Sequence, residues 1–143
     1  MMSKIYPNSL KFKVLDRVKQ LPGNVVLRQD VSDMGDRRQI SRALQALVEM
    51  GELAKIGYGI YAKTYFSTNL NQPVIKAGFD MVCIEALNRL GVKWEFGQAQ
   101  KAYNAGESTQ VPVRTIVHLN SRYRGHLAYG NRTLIFEENI NAR

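Results

Sequence analysis

Cysteine occurs once in the 143 residues, at Cys83, so no intramolecular disulfide can form and a disulfide-stapled architecture is excluded. Histidine is nearly as scarce. His118 and His126 are the only two, and neither they nor Cys83 stand at a spacing that resembles a metal site or a helix-borne pair of ligands. Cys83 falls on the apolar stripe of an expected helix, whereas a reactive thiolate needs a partly exposed, electropositive setting, so it is expected to pack in the core. Gly57-Tyr58-Gly59 lacks the third glycine and the strand-to-helix context of a dinucleotide-binding loop, and nothing resembles a P-loop. No apolar run is long enough for a signal peptide or a membrane span, which makes a cytoplasmic protein with no membrane partner the expectation. The glycosylation sequon at Asn131-Arg132-Thr133 then carries no meaning. Internal repeats and low-complexity tracts are lacking too. These absences point away from an enzyme, and no cofactor or metal is expected.

What is present is positive charge. The net charge is +8 and the isoelectric point is near 9.8, values that suit an anionic partner. Residues 1–66 carry 11 Lys and Arg against 6 Asp and Glu, a net +5, and residues 67–143 carry 9 against 6, a net +3. Both halves are mildly basic, and the length allows one domain or two small ones.

The most organised stretch runs from Val25 to Lys63. Its middle, residues 36–51, reads as a helix with Asp36 as N-cap and Gly51 just past the end. Ile40, Leu44, Leu47 and Val48 recur at i, i+4, i+7 and i+8 and make one apolar stripe. The other face collects Arg37, Arg38, Ser41, Arg42 and Gln45, side chains able to reach phosphates and base edges. Two β-prone runs, residues 53–56 and 60–63, flank Gly57-Tyr58-Gly59 and predict a hairpin. Upstream, Val25-Val26-Leu27 predicts a strand, residues 29–34 a short helix, and Gly35 the bend between helices. An opening helix at residues 9–21 places Leu10, Val14, Val18 and Leu21 on one face. The order helix, strand, helix, helix, hairpin is that of a winged helix-turn-helix, with the hairpin as wing and the Asp36 helix as groove reader. The same pattern also arises in ordinary domains with solvated arginines and in winged modules that bind only protein.

The second half is expected to begin after a polar connection, residues 67–73, whose composition suits a linker or an exposed loop. A helix is predicted over residues 74–90, with Ile75, Phe79, Val82, Cys83, Ala86 and Leu90 on one face and Gly91 at its end. A shorter helix is predicted over residues 97–105. Residues 113–119 alternate like a half-buried strand, broken by Ile116. Gly130-Asn131 predicts a closing hairpin that sets Tyr129 opposite Arg132, Ala128 opposite Thr133 and Leu127 opposite Leu134, with Leu127, Leu134 and Phe136 on one face. Four arginines and no acidic residue lie between Arg114 and Arg132, so Arg114, Arg122, Tyr123, Arg124, Tyr129 and Arg132 form a candidate partner-binding surface. An exposed sheet face with solvated charges is the competing account.

The run from Asp36 through Gly51 into Leu53-Ala54-Lys55-Ile56-Gly57-Tyr58-Gly59-Ile60-Tyr61 resembles the winged-helix signature of AbiEi-like antitoxins, in which a basic helix ending in Leu-Val-x-x-Gly leads into a Gly-x-Gly-x-Tyr wing. Gln110-Val111-Pro112, the strand after it and Gly130-Asn131-Arg132-Thr133-Leu134 resemble the second half of that family, so the likeness spans nearly the whole chain. The resemblance implies a winged module that binds inverted repeats at its own promoter and represses a toxin-antitoxin operon, and a C-terminal part associated with counteracting a nucleotidyltransferase-type toxin. The chain stops soon after Phe136, shorter than many members of that family, which continue into a larger C-terminal domain.

The expected protein is therefore α+β, with a winged helix-turn-helix over residues 1–66 and a small region of helix and antiparallel sheet over residues 67–143. It is expected to act as a repressor on double-stranded operator DNA. Arg37, Arg38, Ser41, Arg42 and Gln45 would enter the major groove, and Lys55, Tyr58 and Lys63 would contact backbone or minor groove from the wing. A protein-interaction module without DNA binding, and an RNA binder using the C-terminal basic hairpin, are the alternatives.

Overall fold

Leu10, Val14 and Val18 recur on one side of helix α1, Leu10–Gln20, and Leu21 closes it as C-cap, its N–H donating to the carbonyls of Arg17 and Val18. The computed structural model describes residues 9–110 and 116–137, a mixed α+β structure that divides into two units, Met1–Gly78 and Phe79–Arg143.

In the first unit α1 leads to strand β1, Val25–Leu27, and then to a 3-10 helix, Arg28–Met34. Sequence pattern predicted an ordinary helix at residues 29–34. The tighter coil starts one residue earlier, where the Asp30 carboxylate accepts the Leu27 N–H at 2.8 Å. The segment has only seven residues, and short runs of this kind are common as connectors. Gly35 follows in an extended conformation, and a Cβ there would stand 3.0 Å from Gln39 Oε1 and 3.2 Å from Leu10. A side chain here would require the Gln39 and Leu10 side chains to give by a few tenths of an ångström.

Helix α2, Arg37–Glu49, starts and stops where its end residues dictate. Asp36 Oδ1 accepts the Gln39 N–H at 2.8 Å while Gln39 Oε1 accepts the Asp36 N–H at 2.9 Å, a reciprocal cap that satisfies two donors of the first turn. At the other end Gly51 adopts φ +79°, its N–H reaching the Val48 carbonyl and the Glu52 N–H reaching Leu47. Between these caps Ile40, Leu44 and Leu47 are fully buried with Ala43, and Val48 packs partly buried against them. Each such leucine or isoleucine contributes about 1.5–3 kcal/mol by leaving water.

Strands β2, Leu53–Gly57, and β3, Ile60–Ser67, form the hairpin, and β1 pairs antiparallel along the opposite edge of β3, with Val26 facing Tyr61. Val26, Leu53 and Tyr61 pack with Val14, Leu44 and Leu47 into one core. Strand β4, Gln72–Ile75, extends the sheet by pairing with the far half of β3, Ser67 opposite Gln72 and Tyr65 opposite Val74.

This last strand corrects two expectations. Residues 67–73 are not a linker between units: they are the end of β3, an exposed turn, as the loop alternative has it, and the start of β4, all within the first unit, which ends at Gly78. The expected boundary at residue 66 moves accordingly. Nor does the helix of the second unit begin at residue 74. Val74 and Ile75 are held in the β-ladder, Gly78 at φ +87° breaks any helical continuation, and α3 spans Phe79–Arg89.

In the second unit Phe79, Val82, Cys83 and Ala86 are buried on α3, as the stripe predicted, together with Leu87. Ile75 and Leu90 do not belong to that face. Leu90 lies beyond the helix end and is 40% exposed. Strand β5, Trp94–Phe96, was not predicted. It is followed by α4, Gln98–Asn104, and pairs antiparallel with β6, Ile116–Leu119, Phe96 opposite Val117. Residues 113–115 of the expected strand lie outside the described residues.

The Gly130-Asn131 hairpin has the expected register, with β7, Ala128–Tyr129, opposite β8, Arg132–Thr133, Tyr129 facing Arg132 and Ala128 facing Thr133. The Leu134 N–H donates to the Leu127 carbonyl at 2.9 Å, and both side chains are buried. The chain then leaves the hairpin as β9, Ile135–Glu137, which runs parallel to β6. The three-stranded sheet β5-β6-β9 is therefore mixed, while the β7–β8 pair is antiparallel as expected.

Candidate nucleic-acid interface

Helix α2 puts its apolar residues inward, so a 3.6-residue repeat forces Arg37, Arg38, Arg42 and Gln45 outward, and all four are exposed. No acidic residue intervenes between Asp36 and Glu49. Among the described residues Arg38 and Arg42 have no carboxylate within ion-pair distance, so their charges are open to an external anion. Gln45 is partly engaged, its amide donating to Glu49 Oε2 one turn on at 3.3 Å. Ser41 is less exposed than its neighbours and accepts a hydrogen bond from Arg28 Nη2.

The β2–β3 hairpin brings its tip to the same side. Tyr58 is 83% exposed, and its hydroxyl accepts from Arg37 Nη2 at 3.1 Å. Arg28, at the junction of β1 and the 3-10 helix, joins the two elements. Its backbone N–H donates to the Gly59 carbonyl at 3.0 Å, and its guanidinium donates to the Arg37 carbonyl at 2.8 Å as well as to Ser41. Sequence reasoning passed over Arg28 because it sits next to a strand, outside any helical face. The only signal was an arginine placed just before the short helix.

The remaining hairpin residues divide. Lys55 is exposed opposite Tyr61 in the ladder. Lys63 is not on the hairpin tip: its ammonium donates to the Leu21 carbonyl at 2.6 Å, tying the end of α1 to β3. It lies on the Tyr61 face of the strand, which packs against the helices.

In the second unit two of the candidate basic and aromatic residues, Arg132 and Tyr123, are engaged within the protein. Arg132 is paired with Asp80 at 3.0 Å and lies over the Phe79 ring, 5.4 Å from its centroid. Tyr123 packs edge-to-face on Phe136 at 6.0 Å, and burial pushes its phenol above the usual range. Arg122, Arg124 and Tyr129 remain exposed, and Arg114 lies outside the described residues. Cys83 is fully buried, and burial pushes its thiol up to about 12, with Asp80 adding to the effect.

No family model matches the chain, and no curated protein or solved structure is significantly similar to it. Among the described residues no helix is long and apolar enough to cross a membrane, and no three His, Cys, Asp or Glu side chains gather into a cation site.

Proposed function

We propose that the first unit is a winged helix-turn-helix that binds duplex DNA, and that the protein is a transcriptional repressor of the antitoxin type acting on its own promoter. The observation that carries this is the outward face of α2, where Arg37, Arg38, Arg42 and Gln45 stand together without an intervening acid and beside an exposed hairpin tip. An α-helix of this width fits the major groove. Arginine forks match guanine edges or phosphates, and the Gln45 amide, released from Glu49, matches adenine. The 3-10 helix, Gly35 and α2 would supply the helix-turn-helix, and β2 and β3 the wing.

The antitoxin assignment has a different support, the likeness of the α2 and hairpin sequence to AbiEi-like antitoxins. On that likeness the second unit would act against a nucleotidyltransferase-type toxin. Its reduced basic surface gives less support to RNA binding, because Arg132 is already paired with Asp80 and Tyr123 is packed on Phe136.

Gel shifts across a salt series, with duplex from the region upstream of the gene, an unrelated duplex and a structured RNA, test the proposal. The upstream duplex should be retained to higher salt than the other two. Equal retention of all three would leave a non-specific polyanion binder, and no shift of either duplex would favour a protein-interaction module.

A further inference from the structure

The cluster at the base of the hairpin has a use beyond holding the fold. Arg28 and Arg37 donate inward only through Nη2: Arg28 to the Arg37 carbonyl and Ser41, Arg37 to the Tyr58 hydroxyl. A guanidinium carries five N–H donors, and among the described residues Nη1 and Nε of both make no other hydrogen bond. Among the described residues neither meets a carboxylate, although Arg17 at the back of the 3-10 helix is paired with Asp33. Arg28 and Arg37 thus bring two positive charges into one hydrogen-bonded frame, which suits an anionic ligand. The frame also restricts both side chains before any ligand arrives, which lowers the entropy lost on binding.

We propose that Arg28, Arg37 and Tyr58 form a clamp for a single phosphodiester of the DNA backbone, set between the first turn of α2 and the wing tip. The proposal rests on the duplex-binding reading above and adds Arg28, a residue outside the groove-facing set, as a direct contact. A tetrahedral phosphate offers oxygens to two forks at once, which suits two guanidiniums better than a base edge does. Tyr58 acts through Arg37 by fixing its fork.

A phosphate contact carries no sequence information, so its loss should weaken upstream and unrelated duplexes alike and flatten the salt dependence by about one unit of slope. Arg28→Gln and Arg37→Gln are each expected to do this, with at least about a tenfold loss of affinity. Because the two share one phosphate, the double variant should also lose about one unit of slope and not two. Tyr58→Phe removes no charge, so it should weaken binding with the slope unchanged, and it should add nothing in an Arg37→Gln background. That pair involves two exposed side chains and keeps the test intact if Arg28→Gln does not fold.

A folded Arg28→Gln or Arg37→Gln protein with parental affinity and slope overturns the clamp, as does a double variant that loses two units, or additive effects of Tyr58→Phe and Arg37→Gln. If inorganic phosphate shifts the Arg28 and Arg37 Nε–Hε signals in NMR spectra while duplex binding ignores both residues, the site takes a free anion and the clamp is likewise overturned. These outcomes differ from failure of the duplex reading itself, in which the parent protein shifts neither duplex.

Discussion

Asp36 and Gln39 cap helix α2 reciprocally, each side chain accepting the other's backbone N–H at 2.8 and 2.9 Å. The pair fixes where the helix begins, and so which residues form its first, outward-facing turns. Arg37 and Arg38 follow the cap directly, and the placement of Arg37 beside the Tyr58 hydroxyl depends on it.

Replacing Asp36 with alanine should cost about 1 kcal/mol of stability, the usual effect of losing an N-cap acceptor. Urea unfolding followed by circular dichroism reads this directly. Gln39→Ala should cost less, since it removes one reciprocal bond at an exposed position. A stability unchanged by Asp36→Ala would mean that the cap is dispensable and that packing alone sets the start of α2.

Arg38→Ala combined with Arg42→Ala should leave the fold intact, because both side chains are exposed and off the buried face. Duplex affinity should fall by at least about 2 kcal/mol, each contact of this kind being worth about 1–3 kcal/mol. Fluorescence anisotropy with labelled upstream duplex is the measurement. Parental affinity in a folded double variant would remove α2 from the groove.

Leu44 and Leu47 are fully buried in the core of the first unit, so Leu44→Ala or Leu47→Ala should destabilise by about 2–5 kcal/mol. The melting temperature should drop clearly in both. Two unchanged melting curves would show that the stripe is not core.

Cys83 should resist thiol reagents in the native protein, because it is fully buried and its thiol is pushed up to about 12. The sign of the linked stability follows from the raised value. The folded state holds the proton more tightly than the unfolded chain, so this contribution is complete below the ordinary value of 9.0 and is lost as pH rises towards about 12. The alkaline fall in stability should be shallower in Cys83→Ala than in the parent. Rapid labelling of the native protein near neutral pH would contradict the buried placement.

Arg122, Arg124 and Arg132 replaced together by alanine should leave duplex affinity near normal, since α2 lies in the other unit. The exposed Arg132–Asp80 pair adds at most about 1 kcal/mol to stability, so the fold should survive. On the antitoxin proposal, protection of cells from a co-expressed toxin should weaken. A loss of DNA binding as large as that of the Arg38 and Arg42 variant would mean that both units share one nucleic-acid surface.

Elements whose residues carry strong local signals were legible in the sequence alone. Asp36 and Gly51 bounded α2, the period of Ile40, Leu44 and Leu47 assigned its buried face, and Gly130-Asn131 set the register of Tyr129 with Arg132. Capping, amphipathic period and tight turns involve neighbours a few residues apart, so their physics is written locally.

What only the tertiary structure decided involves partners far apart in the chain. Val74 and Ile75 fit the start of a helix as well as a strand, and the edge of β3 at Thr64 and Tyr65 resolved them as strand. Ile135 and Phe136 looked like the end of a hairpin until β6 offered a parallel edge through Ile116 and Val117. Lys63 resembled a wing cation, but the Leu21 carbonyl lay within its reach across the sheet. Arg28 had no periodic face to mark it, and gained its place through Gly59, Arg37 and Ser41. Sequence patterning determined which residues must be buried and where helices start and stop; the pairing of backbone edges and of polar side chains across long loops depended on which partners the folded chain brought within hydrogen-bond distance.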